Sequence, residues 1–374
     1  MKKRIAAMVL AGAMALSLAP AYGVTEVKAE AGDMKIAMVT DSGDITDQSF
    51  NQTTYEACKA WSEENGSEFN YYKPESDSDE ARNASVDQAV ADGANVIVLP
   101  GYMFAATIVE QSEMYPDVKF IAPDVSAGDI CEKGVGEGYT YNPDDYEVTD
   151  YYNADNVYCC TYQEEISGYM AGYAAVKLGY KHLGFLGGMS VPAVTRFGYG
   201  YVQGVDEAAK ELGITSDVEL EYVCGGQFYG DADITAYMDT WYGSKGVEVV
   251  FACGGGIYTS AAEAAAKVDG KVIGVDSDQS SIAPNTVLTS AMKRVDNAVY
   301  EAVQELIDGT LEGGVKTFDL AAGGVDIAPS QDLISEDVIA AVDEVKEKIV
   351  SGGIEVPADK ESFEAKYGDV YQLD

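Results

Sequence analysis

The chain has 374 residues, and its 63 aspartates and glutamates against 24 lysines and arginines give a formal net charge of −39. A field of that sign repels phosphate backbones and anionic lipids, which argues against nucleic-acid binding as a main function. With one histidine and no Cys-x-x-Cys pair, a Cys/His zinc site or a histidine-based catalytic triad is hard to build.

The N-terminus has the pattern of a signal peptide. Basic residues at 2–4 precede an apolar run at 5–18, which is shorter than the roughly 20 residues of a membrane-spanning helix. Cleavage after either Ala21 or Ala29 fits the small-x-small pattern, and we assign the leader to residues 1–29. The protein is therefore expected to be exported, either extracellular or associated with the cell envelope. All six cysteines follow the leader, an even number that permits disulfides but leaves their pairing open.

From residue 34 onwards, strand-like apolar runs alternate with segments of helical periodicity. In the first series, strands are predicted at 35–40, 69–72, 95–99 and 118–122. The helices between them are predicted at 49–64, 79–92 and 105–114. The apolar runs are continuous, which is typical of parallel strands covered on both faces.

A polar stretch at 126–154, rich in Gly, Asp and Tyr, interrupts this pattern and is predicted to be a surface loop or, alternatively, a lid or docking patch. A second series follows, with strands predicted at 156–161, 182–187, 218–223, 247–253, 271–275 and 286–290. Its helices are predicted at 164–178, 193–212, 234–242, 259–268 and 295–308. The end of the chain holds strand-like segments at 317–320 and 324–328 and a helix at 335–350.

Repeated β-α-β units of this kind predict doubly wound parallel sheets, and two series of similar size predict two α/β lobes joined by a hinge. We assign the N-terminal lobe to 34–154 plus about 280–310, the C-terminal lobe to 155–279 plus about 311–350, and a tail to 351–374. In an open α/β sheet, ligands bind beyond the carboxyl ends of the strands. Polar residues at those ends are therefore the candidates for a binding site.

Carboxylates and small residues recur directly after the predicted strands. Those at the strand ends are Asp41, Asp124, Gly254 and Asp276. Phe50 and Asn51 begin the helix after the first strand, where the ring could contact a ligand or pack on the core. Asp47 and Ser49 are interpreted as helix caps. Gly and Asp are ordinary turn residues, but their recurrence in register with the strands favours a shared site.

Five segments carry a resemblance to a known family. They are VTDSGDITDQSFN at 39–51, FIAPD at 120–124, GFLGG at 184–188, IGVDSDQ at 273–279 and TSAMKRVD at 289–296. Over about 35–350 the chain resembles the basic membrane protein (BMP) / purine nucleoside receptor family, the substrate-binding proteins of ABC transporters. The resemblance implies a type I periplasmic-binding-protein fold with a nucleoside held between the two lobes.

The same resemblance implies a role for each matching residue. Phe50 and Phe228 would sandwich the base, with Tyr229 as an alternative to Phe228, while Asp41 and Asn51 would reach the base edge. The sugar would be held by Asp124, Gly254, Asp276 and Lys293. Stacking of a base on an aromatic ring contributes on the order of 1–3 kcal/mol. Paired hydroxyls need acceptors such as Asp and a donor such as Lys.

We therefore predict an exported solute-binding protein that captures a nucleoside, with a purine preferred, and delivers it to an ABC transporter permease. It is predicted to be a monomer without enzymatic activity, cofactor or metal, because no nucleophile–base pair or metal cluster emerges. Two alternatives stay open: a binder of another polar ligand such as a sugar, and a sensor ectodomain. Family members are typically lipoproteins, yet no cysteine lies in or just after the leader, so the mode of retention at the membrane is open.

Overall fold

The computed structural model describes residues 31–328 and 333–368, and the predicted leader at 1–29 lies outside them. Within the described part, the chain forms twelve strands: β1 (Lys35–Val39), β2 (Glu68–Tyr72), β3 (Val96–Val98), β4 (Lys119–Pro123), β5 (Val157–Tyr162), β6 (His182–Gly187), β7 (Glu219–Cys224), β8 (Val249–Cys253), β9 (Lys271–Asp276), β10 (Val287–Lys293), β11 (Val315–Phe318) and β12 (Val325–Ile327). The same residues form eleven α-helices: α1 (Phe50–Asn65), α2 (Asp79–Ala91), α3 (Ala105–Met114), α4 (Ala127–Val135), α5 (Glu164–Lys177), α6 (Pro192–Leu212), α7 (Ala232–Thr240), α8 (Tyr258–Ala266), α9 (Val295–Asp308), α10 (Glu336–Val350) and α11 (Lys360–Tyr367).

The strands form two six-stranded sheets, one in each lobe. The first has the order β11-β5-β4-β3-β1-β2, and all of its neighbouring strands are parallel. The second has the order β12-β10-β9-β8-β6-β7 and is parallel except for the pair β10–β12. Two doubly wound α/β lobes are therefore present, as predicted.

Each sheet carries helices on both faces, which explains the continuous apolar runs in the sequence. In β3, Val96 and Val98 pack in the same cluster as Trp61 of α1, whereas Ile97 packs on the opposite face with Ile108 of α3. All three strand residues are almost completely buried. A strand buried on both sides cannot alternate apolar and polar residues, because neither face meets water.

Within the described residues, the chain passes between the lobes at three crossovers: at Gln163 after β5, at Arg294 after β10, and at 319–324 between β11 and β12. These positions correct the predicted lobe boundaries. Strands β5 and β11, assigned to the C-terminal lobe, pair with each other in the first sheet, and β10, assigned to the N-terminal lobe, pairs with β9 in the second. Periodicity predicts which residues form a strand. The neighbouring strand in the sheet depends on contacts with segments far away in the sequence.

The polar stretch at 126–154 is more ordered than predicted, and the described part of the tail also contains a helix. The stretch begins with α4, where the side chains of Ser126 and Asp129 cap the helix reciprocally, and only then continues into short 3₁₀ turns. The expectation of a surface loop was therefore wrong for α4. In the tail, α11 docks on α6 through Phe363, whose ring centroid lies 4.3 Å from that of Tyr199.

None of the helices in the described part of the chain is long and apolar enough to cross a membrane. All six cysteines fall within that part and are free thiols, and five of them are buried. Buried free cysteine packs as a small apolar side chain, so the thiols contribute to the cores of the two lobes.

Candidate ligand-binding site

A cleft of about 560 Å³ lies where the carboxyl ends of both sheets meet. Ligand pockets in proteins span roughly 300–1,000 Å³, so the cleft has room for a small organic molecule. The eight residues predicted to bind the ligand all line it: Asp41, Phe50, Asn51, Asp124, Phe228, Gly254, Asp276 and Lys293. Parallel strands bring distant parts of the chain to one edge, which is why residues so far apart in sequence share this wall.

On the N-terminal lobe, Asp41 and Asn51 form a polar pair at the end of β1. The amide of Asn51 donates to Asp41 Oδ1 over 2.9 Å, and the backbone N–H of Gly43 donates to the same oxygen over 2.6 Å. Burial raises the pKa of Asp41 to about 6. Asn51 Oδ1 is buried without a hydrogen-bond partner among the described residues, so this pair has an acceptor left for a ligand.

The cap of α1 comes from Asp47. Its carboxylate accepts from the backbone N–H groups of Ser49 (2.8 Å), Asn51 (3.1 Å) and Gln52 (3.0 Å). Ser49, the other predicted cap, makes no capping bond and instead donates its hydroxyl to Asp276 Oδ2 in the other lobe. The start of α1 therefore holds Phe50 and Asn51 in place and also contacts the facing lobe.

Phe228 and Phe50 bring an aromatic ring to the cleft from each lobe. The ring of Phe228 lies against two glycines. A Cβ at Gly188 would stand 2.5 Å from Phe228 Cδ1, and one at Gly254, whose φ is 138°, would stand 3.0 Å from the same atom. Tyr229 also lines the cleft but is 62 % exposed. Because the ring of Phe228 is packed against these glycines, Phe228 is better positioned than Tyr229 to present a ring to a ligand.

Lys293, the last residue of β10, lies at the centre of the polar groups. Its Nζ donates to Asp124 Oδ2 over 2.6 Å and lies 2.9 Å from Glu164 Oε1 and 4.8 Å from the centroid of the Phe50 ring. The side chain is 2 % exposed. Burial alone would lower the pKa of Lys293, but Asp124, Glu164 and Asp276 outweigh it and raise the pKa, so the ammonium stays charged.

Asp124 and Asp276 follow β4 of the first lobe and end β9 of the second, and both adopt the left-handed backbone region, with φ of 66° and 64°. Such a conformation is uncommon outside glycine and concentrates at functional sites. Burial raises the pKa of Asp276 to about 6 and also raises that of Asp124. Asp124 Oδ1 is buried and has no hydrogen-bond partner among the described residues. The cleft therefore offers a second unfilled acceptor.

Glu164 and Arg196 belong to this network and were missed by the sequence analysis. The guanidinium Nε of Arg196, which lines the cleft from α6, donates to Glu164 Oε2 over 2.6 Å. Burial alone would raise the pKa of Glu164, but the charges of Arg196 and Lys293 outweigh it and lower the pKa. Glu164 follows closely on a predicted strand, so the rule applied at the other strand ends would have selected it. No comparable signal marks Arg196 within its helix.

The two lobes also touch directly beside the cleft. The backbone carbonyl of Gln48 accepts from Ser277 Oγ over 2.9 Å and from Gln279 Nε2 over 3.0 Å. Gln48 has a φ of 54°, and it belongs to the turn that precedes α1. Gln48 and its two donors do not line the cleft. These hydrogen bonds therefore join the lobes without lying in the space that a ligand would occupy.

A family model described as ABC transporter substrate-binding protein PnrA-like (Bmp) matches residues 34–360. The ABC transporter nucleoside-binding protein BmpA of Lactococcus lactis subsp. cremoris is 29 % identical over 349 residues, covering 87 % of this chain and 90 % of that protein. Among solved structures, an ABC transporter solute-binding protein from Aeropyrum pernix K1 matches with a TM-score of 0.72 at 23 % identity, over 89 % of this chain and 96 % of that one. The lac repressor dimer matches with a TM-score of 0.52 at 14 % identity, over 81 % and 94 %.

The two structural matches confirm the predicted type I periplasmic-binding-protein fold, to which LacI-like repressors are related. The family match extends over most of the chain and includes every residue of the cleft discussed above. The family resemblance and the absence of enzymatic activity were therefore predicted correctly. The chain belongs to the Bmp family of PnrA-like substrate-binding proteins, the non-enzymatic solute-binding components of ABC transporters.

Proposed function

We propose that the solute is a nucleoside, with a purine preferred, and that it is held between the lobes for delivery to the transporter permease. The observation that carries this proposal is the convergence, in one cleft, of an aromatic ring from each lobe with buried carboxylates from each lobe. A nucleoside has a flat base, which suits the aromatic rings, and a sugar with several hydroxyl groups, which suit the carboxylates. The name of the Lactococcus relative, a nucleoside-binding protein, supports the same reading.

The base would lie between Phe50 and Phe228, where stacking contributes on the order of 1–3 kcal/mol per base. A purine, with two fused rings, covers more of both phenyl faces than a pyrimidine does. Asp41 accepts and Asn51 has an unfilled amide oxygen, so donors on the base edge would find acceptors there.

The sugar would lie at the charged end of the cleft. Ribose hydroxyls can donate to Asp124 and Asp276 and accept from Lys293, and the unfilled oxygen of Asp124 supplies one of these acceptors. The carboxylates of Asp124, Asp276 and Glu164 outnumber the two cations, Lys293 and Arg196, so a phosphate group would meet repulsion. We infer that an uncharged nucleoside is preferred over its nucleotide.

The proposed cellular location of the protein follows from its N-terminal leader. The leader at 1–29 would export the protein, which we propose to work as a monomer at the cell surface or in the envelope. A free pentose or hexose is the alternative ligand, favoured by the buried carboxylates of the cleft but not by its two aromatic rings. These two candidates differ in one measurable property, which is dependence on the base.

The test is a thermal-shift screen of protein that has been unfolded and refolded to strip bound ligand. Purine and pyrimidine nucleosides, free bases, ribose, glucose and a nucleoside monophosphate are compared at equal concentration. A ligand at about a hundred times its Kd adds roughly 2.7 kcal/mol to the free energy of unfolding. Shifts with purine nucleosides support the proposal, whereas shifts with free sugars and none with nucleosides would reject it.

A further inference from the structure

A chain of ion pairs runs from one lobe to the other through residues beside the crossovers. It begins at Asp124 of the first lobe, continues through Lys293 at the second crossover and Glu164 at the first, and ends at Arg196 of the second lobe. We propose that Glu164 is a positioning residue: it shares Lys293 with Asp124 and holds Arg196, so that the remaining carboxylate oxygens of Asp124 and Asp276 stay free for the sugar hydroxyls of the ligand. This inference rests on the proposed nucleoside function.

Glu164 acts from outside the cleft. It is the first residue of α5, directly after the crossover residue Gln163, and it has no exposed surface. Each of its oxygens faces a different cation: Oε1 lies 2.9 Å from Lys293 Nζ and Oε2 accepts from Arg196 Nε over 2.6 Å. Since Glu164 does not line the cleft, any effect on the ligand must pass through these two cations.

The charges around the sugar end explain why this position matters. Two cations, Lys293 and Arg196, stand near the three carboxylates Glu164, Asp124 and Asp276. With Glu164 neutral, the buried Lys293 would have only the two aspartates as partners, while Arg196 would keep Asp124 and Glu165 nearby. An unpaired buried charge is strongly unfavourable. Lys293, which already donates to Asp124 Oδ2, and Arg196 would then compete for the remaining oxygens of Asp124 and Asp276, which would otherwise accept from the sugar.

The decisive experiment compares two ligands that differ only in the sugar. Calorimetry gives the Kd of adenosine and of 2′,3′-dideoxyadenosine for the wild type and for Glu164→Gln. Charged hydrogen bonds are about twice as strong as neutral ones, so we expect adenosine to lose about tenfold or more in affinity. Dideoxyadenosine should keep its affinity, so the preference for adenosine collapses. Equal losses for both ligands, or no loss, would overturn the proposal.

Glu165→Gln is the matched control, because Glu165 is the next residue of the same helix, is 5 % exposed, and does not line the cleft. It should retain the wild-type preference.

If Glu164→Gln does not fold, the double variant Glu164→Gln/Arg196→Gln removes both charges of the buried pair and should show the same loss of sugar preference. Failure of both variants to fold would also overturn the proposal, because the pair would then be required for the fold. Measurements on the wild type distinguish failure of the proposed nucleoside function from failure of the proposed role of Glu164. No binding of adenosine by the wild type rejects the proposed function, whereas binding without an effect of Glu164→Gln rejects only the role of Glu164.

Discussion

Among the contacts that join the lobes in the described part of the chain, two sets differ in chemistry. Around Lys293 the contacts are charged and buried, and Lys293, Asp124 and Arg196 also line the cleft. At Gln48 they are neutral hydrogen bonds to Ser277 and Gln279, all three of which stay outside the cleft. The first set can respond to which ligand is bound, while the second can only favour or disfavour the closed arrangement. If the proposed function holds, we expect ligand selectivity and lobe closure to depend on different residues.

The largest effect is expected from Asp276→Ala, within the charged set. Truncating one member of a buried charged cluster costs about 2–5 kcal/mol, so nucleoside affinity should fall by about 30-fold or more. Asp276→Asn, which keeps the shape but loses the charge, should recover little of it. Calorimetry on both variants checks this, and an affinity equal to that of the wild type would remove Asp276 from the site.

The next largest effect concerns the ring on the second lobe. Phe228→Ala should weaken nucleoside binding by roughly 5- to 160-fold, corresponding to the stacking contribution of about 1–3 kcal/mol. Tyr229→Ala is the matched control and should leave affinity unchanged, because Tyr229 is largely exposed. The reverse pattern would assign the stacking ring to Tyr229. As a further control, the affinity for free ribose should be the same in both variants as in the wild type.

Acidification is expected to weaken binding below about pH 6, the raised pKa of both Asp41 and Asp276. Each must be ionised to accept hydrogen bonds from the ligand, and each is protonated as the pH falls through that value. Affinity should drop by up to about tenfold per pH unit for each group that must ionise. Calorimetry near pH 6 in buffers of different ionisation enthalpy should record proton release on binding. A Kd that is flat between pH 7 and 5 would contradict this.

The smallest effect is expected at the neutral contacts. Ser277→Ala removes one hydrogen bond to the Gln48 carbonyl, a loss of about 0.5–1.5 kcal/mol. Because the bond never touches the ligand, adenosine and dideoxyadenosine should weaken by the same factor, in contrast to Glu164→Gln. Calorimetry with both ligands checks the factor, and small-angle X-ray scattering should find the ligand-free variant more open. A change in the preference between the two ligands would break the comparison.

Local patterns predicted the binding cleft better than they predicted the lobes. A carboxylate or glycine after a buried strand must lie at the carboxyl edge of the sheet, so Asp41, Asp124 and Asp276 could be selected without knowing the strand order. The lobe boundaries depend on which strands pair, and the pairing of β5 with β11 joins segments about 150 residues apart. Arg196 was missed for the same reason, since only its contact with Glu164 distinguishes it from any helical arginine.

The pairing of Lys293 with Glu164 has a mechanical consequence. The two residues flank two of the three crossovers, so their ion pair lies close to the axis about which the lobes rotate. Points near a rotation axis move least, while the rings of Phe50 and Phe228, carried by opposite lobes, separate as the angle widens. We therefore expect that, as the lobes open, the contacts with the base break first and the contacts with the sugar hydroxyls break last.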